Sequence, residues 1–105
     1  MRRYLISFPS GAMNHIPAEE MPAAGEAAHA VVKEAMDAGV WVFGGGLAED
    51  GTVTTATYPQ TKDFHGGFTI IEVPSRESAL EWAAKIAAAC RCTQEVREFG
   101  YGPRV

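Results

Sequence analysis

The sequence predicts an α+β fold in which two helices cover one face of a mostly antiparallel sheet. Two stretches repeat apolar residues at helical spacing, and several shorter stretches are dense in β-branched and aromatic residues. Glycine, proline and serine punctuate the junctions between them. The order that follows is β-α-β-β-β-α-β.

Arg3 to Phe8 alternates and is rich in β-formers, so it reads as the first strand. Pro9 to Pro22 holds Gly11, Asn14 and three prolines and reads as a long loop, with a helical turn expected at Ala18-Glu19-Glu20. Ala28, Val31, Val32, Ala35 and Met36 then form the apolar stripe of a helix, and Gly39 stands where a residue of positive φ can end it. Val40-Trp41-Val42-Phe43 is a short continuously apolar strand, which predicts that both its faces are covered. Gly44-Gly45-Gly46 is expected to break this strand with a bulge or tight exit, since it lacks the residues of a phosphate loop or dinucleotide fingerprint. Thr52 to Thr57 reads as a third strand after the Glu49-Asp50-Gly51 turn, and Gly67 to Val73 as a fourth. Ser75 is placed to cap a second helix, with Glu77 against the positive end of its dipole. Ala79, Trp82, Ala83, Ile86, Ala87 and Cys90 form the buried stripe of that helix, with Leu80 at its margin. Thr93 to Phe99 reads as the last strand.

Two helices on one side of a single sheet make a ferredoxin-like arrangement with an extra hairpin strand. The other face of such a sheet is left bare. Because Val40 to Phe43 makes it apolar, a homodimer joined through the sheet faces is expected.

The 105 residues fit a single domain, 1–105. A hydrophobic fraction of 47% and a charged fraction of 21% are those of an ordinary globular protein. The net charge of −4 gives no electrostatic footprint for nucleic acid. Arg2 and Arg3 begin the chain like an export signal, but Pro9-Ser10-Gly11 stops the apolar run early, and no run is long enough to span a bilayer. Cys90 and Cys92 are the only cysteines. Their spacing, even with His65 or His29 added, matches no zinc motif, so they read as free thiols of a reducing cytoplasm with no metal and no organic cofactor.

Read together, these segments resemble the YCII-related superfamily, in particular its DGPF-type branch. The resemblance is carried by Tyr4-Leu5-Ile6, Ala38-Gly39-Val40, Gly46-Leu47, Thr61-Lys62-Asp63 and Gly66-Gly67-Phe68. It continues through Ile70-Ile71-Glu72-Val73, Ala79-Leu80-Glu81-Trp82-Ala83-Ala84 and Glu95-Val96-Arg97, covering most of the chain in order. It implies a dimeric α+β barrel, in which two ferredoxin-like sheets pack face to face around a small cavity. This chain departs from the pattern where the family carries Asp-Gly-Pro-Phe, having Thr55-Ala56-Thr57-Tyr58 instead. A role for the family's aspartate therefore has no residue here to carry it. His65 likewise stands where relatives have an aliphatic residue. Some relatives are similar to small lyases, with a suspected His/Asp pair, while others accompany sigma factors.

Three histidines are the side chains that titrate nearest neutrality. His29 sits at the margin of the helix-one stripe, where it could face a cavity as a general base or stay a helix-flank residue. The family's own helix-one histidine falls about one residue earlier relative to the following glycine. His65 precedes Gly66-Gly67, which allow close backbone approach, and is the second candidate base. His15, in the long loop, is a candidate lid residue. Asp50 and Asp63 are candidate orienting acids, although Asp50 before Gly51 reads first as a turn residue and Asp63 first as a local partner of Lys62 or Arg97. Trp41, Phe43, Tyr58 and Phe68 could line an aromatic ligand pocket or simply pack the core or a dimer. Ser7 and Ser10 lack the context of a catalytic nucleophile. Two functions follow from this reading. One is a cofactor-free lyase or isomerase acting on a small cyclic or phenolic compound by His-assisted proton transfer. The other is a non-catalytic dimeric module that binds a ligand or a protein.

Overall fold

The computed structural model describes residues 1–47 and 65–100. Within them, β1 (Arg2–Pro9) leads through a 3₁₀ turn (Ala18–Glu20) into α1 (Met21–Asp37) and β2 (Trp41–Gly46). β3 (His65–Val73), α2 (Arg76–Cys90) and β4 (Glu95–Glu98) complete the order. The strands form one antiparallel sheet in the order β2-β3-β1-β4. That is the α+β fold the sequence predicts. The third strand expected at Thr52 to Thr57 lies outside the described residues.

Alternation along β1 decides where the core sits. Tyr4 and Ile6 point to one face and are fully buried, as are Ile71 and Val73 on β3. Ala79 and Ala83 of α2 complete this cluster, with Val40, Trp82, Ile86 and Val96 packed against it. Small residues on α2 let the helix axis approach the sheet, so the large side chains on the strands fill the space. The Tyr4 hydroxyl leaves this core at its edge and donates to Glu98 at 3.2 Å.

α1 packs on α2 and buries Ala24 and Ala35. Ion pairs from Lys85 to Glu34 and from Arg91 to Glu20 tie α2 to α1 and the 3₁₀ turn. The Lys85 ammonium also lies 4.7 Å above the Trp82 ring, a cation–π contact. Ser75 caps α2 as expected, its hydroxyl accepting from the Ser78 amide at 3.2 Å. Gly39 has φ 75° and follows α1, as its position after the stripe implied.

Four expectations need correction. α1 starts at Met21 and takes Pro22 into its first turn, where a missing amide hydrogen costs nothing. Met36 is 53% exposed, because the buried line of α1 runs through Ala24 and Ala35 instead. The last strand is confined to Glu95–Glu98. Finally, the triple glycine does not end β2, which runs on through Gly46. A Cβ on Gly44 would lie 2.5 Å from the Phe68 carbonyl oxygen and 3.1 Å from the Trp41 ring, so glycine is needed there for close approach of strands. The bulge comes earlier: two steps from Trp41 to Phe43 match one step from Ile71 to Ile70.

Candidate functional site

Strand register places the same residues in rows across the sheet face away from the helices. Gly45 pairs with Phe68, Phe68 with Ser7, and Ser7 with Glu95, giving the row Gly45–Phe68–Ser7–Glu95. Phe43 pairs with Ile70, Ile70 with Leu5, and Leu5 with Arg97, giving a second row beside it. Directly paired residues in antiparallel strands project to the same side, so all eight share one face.

This face is apolar at the β2 and β3 side and polar at the β4 edge. Phe43 is 63% exposed: in the single chain the helix side of β2 is packed and its outer side is open. Phe43 and Phe68 contact each other with ring centroids 6.0 Å apart and planes tilted by 46°. Leu5, Phe68 and Ile70 are half-buried. Gly45 contributes no side chain, and a Cβ there would meet nothing within 4 Å, so the space over it beside Phe68 is open. Arg3 and Glu72 form a 2.8 Å ion pair at the end of the face beyond the second row.

Ser7 differs from its neighbours. Its side chain is 1% exposed, and among the described residues its hydroxyl is the buried side-chain polar atom with no hydrogen-bond partner. Sequence reasoning set Ser7 aside because it lacks a nucleophile's context. The available signal was a hydroxyl in the middle of an otherwise apolar strand, on the face opposite Tyr4 and Ile6.

The predicted pocket aromatics separate. Phe43 and Phe68 come together on the open face. Trp41 pairs with Ile71, turns to the helix side, and reaches back over Gly44. Tyr58 lies outside the described residues, as do Asp50 and Asp63. His29 is exposed on α1, on the helix side of the sheet, and His15 is exposed in the loop after β1. The backbone of His65 opens β3 opposite Pro9, three residues before Phe68.

Among the described residues, no group of three His, Cys, Asp or Glu is placed to hold a metal ion. Burial pushes both the Cys90 and Cys92 thiols up, the former further raised by the nearby Cys92. The Gln94 amide lies 3.5 Å from the Cys92 sulfur and offsets part of its rise. Raised thiols are poor nucleophiles at neutral pH. Among the described residues, no helix is long and apolar enough to cross a membrane.

A model of the YCII-related domain matches residues 10–99. The chain belongs to the YCII-related family. A solved structure of similar fold is 5-chloro-2-hydroxyhydroquinone dehydrochlorinase from Burkholderia phenoliruptrix AC1100, in complex with 2,5-dihydroxybenzoquinone. It shares 14% identity and a TM-score of 0.50, over 97% of this YCII-related chain and 96% of the dehydrochlorinase. At that identity the likeness establishes a common fold. A comparison with curated proteins finds no match.

Proposed function

We propose that this YCII-related protein binds a small cyclic or phenolic compound against the open face of its sheet, and acts on it by cofactor-free proton transfer of the lyase or isomerase type. The observation that carries this reading is the Phe43–Phe68 pair, one ring exposed and the other half-buried, beside the open space over Gly45. Apolar and aromatic side chains with a few polar groups among them are the usual lining of a small-molecule site. The dehydrochlorinase of similar fold, solved with a dihydroxybenzoquinone, supports the same class of ligand.

In this reading a second copy covers the face. The exposed and half-buried side chains of Phe43, Ile70, Leu5 and Phe68 pack against their symmetry mates, and the space left at Gly45 is enclosed rather than open to solvent. Closure excludes water and strengthens the electrostatic contacts inside. His65 is the preferred base, because its strand runs directly into Phe68. His29 is the alternative base, with Asp50 or Asp63 as the orienting acid.

The test combines binding with turnover. Hydroquinone, chlorohydroquinone and catechol are titrated calorimetrically, and their ultraviolet spectra are followed over time with wild type and with His65→Ala and His29→Ala. Spectral change that needs one histidine supports proton-transfer catalysis. The exposure of His15 and His29 favours a second reading, a dimeric binding module without chemistry. Binding with unchanged spectra selects that module, and no binding of any phenol rejects both small-molecule readings.

A further inference from the structure

Among the described residues the buried Ser7 hydroxyl has no hydrogen-bond partner, and such a group destabilises the fold unless something bound supplies the missing partner. Its row supplies the rest of a site: Phe68 on one side and the Glu95 carboxylate on the other. One strand beyond Phe68 lies Gly45, above which a Cβ would find open space. Strands are spaced by about 4.8 Å, so Gly45 and Ser7 are about 10 Å apart, roughly the span of one substituted six-membered ring with its contacts.

We infer that Ser7 is the hydrogen-bonding anchor of a ligand site on this face, and that its ligand is a planar ring bearing a hydroxyl. The ring lies over Phe68 with its far edge over Gly45. Its hydroxyl donates its hydrogen to the Ser7 oxygen, and Glu95 lies next in the row. This rests on the proposed small-molecule function and adds to it the residues that choose a hydroxylated ring over an apolar one.

The burial of Ser7 is consistent with such a role. The hydroxyl is already desolvated, so a ligand reaching it displaces no bound water. Glu95, its neighbour in the row, is exposed.

The test uses hydroquinone as the probe and its dimethyl ether as a control that cannot donate. Calorimetric titration of wild type, Ser7→Ala and Gly45→Val is paired with thermal melts of each protein without ligand. Ser7→Ala is expected to melt higher than wild type while binding hydroquinone about tenfold more weakly, the worth of one good hydrogen bond. The dimethyl ether should bind wild type and Ser7→Ala equally. Gly45→Val, whose Cβ meets no neighbour within 4 Å in the folded chain, should lose hydroquinone binding. Equal hydroquinone affinity in wild type and Ser7→Ala overturns the anchor and leaves the proposed function standing. Failure of wild type to bind any of the phenols overturns both.

Discussion

Arg91 ends α2 with φ 56° and ψ 37°, a left-handed conformation that costs a residue with a Cβ about 1 kcal/mol. Its side chain pairs with Glu20, an exposed contact worth at most about 1 kcal/mol. Strain and ion pair therefore nearly offset. Arg91→Gly removes both and should equal or exceed wild-type stability, whereas Arg91→Ala keeps the strain, loses the pair and should fall by up to about 1 kcal/mol. Urea midpoints of the three proteins check the order, and an alanine variant more stable than the glycine variant would contradict it. The thiols make a prediction of pH dependence. Both are raised above the ordinary value of 9.0, so the folded state holds their protons longer than the unfolded chain does. Their contribution is fully present below pH 9.0 and is lost as pH rises above it through the folded values. Stability measured across that range should decline less steeply in Cys90→Ala than in wild type.

At the scale of elements, β2 and α2 are held by different devices. The start of α2 depends on a single side-chain cap, and Ser75→Ala should cost about 1 kcal/mol in denaturant unfolding. The junction of β2 with β3 depends on the absence of a side chain. Gly44→Ala drives a methyl into the Phe68 carbonyl and should cost about 1–3 kcal/mol, while Gly45→Ala, one residue on, meets open space and should leave the melting point near that of wild type. Comparable losses from the two would mean that glycine serves chain flexibility here rather than strand approach. The triple glycine was legible as a special backbone feature, but its reason was not. Spacing along one chain does not reveal that a carbonyl of β3 occupies the place of a Cβ on β2.

For the molecule as a whole, the outcome turns on the open face. Helices on one side only leave Phe43 exposed in a single copy, and the homodimer proposed above removes that exposure. Sedimentation at micromolar concentration should give a dimer. Leu5→Glu, which sets a charge in the middle of the face, should shift it toward monomer while the circular dichroism spectrum keeps its shape. A wild-type monomer under these conditions would rule out closure by a second copy. Much of the architecture was legible beforehand: both helices, the cap at Ser75, the 3₁₀ turn at Ala18–Glu20 and the first, second and last strands rest on local periodicity and turn chemistry. The grouping of site residues was much less so. Phe43 and Phe68 meet on one face, but Trp41 turns away from them because the bulge between Trp41 and Phe43 changes which residues share a side.

Which segments are strand or helix, and the family resemblance they carry, follow from local sequence, because apolar spacing and capping residues act over a few neighbours along the chain. Only the tertiary structure decided what stands beside Ser7. Its partners Phe68 and Glu95 lie 61 and 88 positions away, and strand register alone sets them in one row. Register depends on the whole sheet's burial pattern, including one bulge and one missing Cβ, and no local stretch of sequence contains that information.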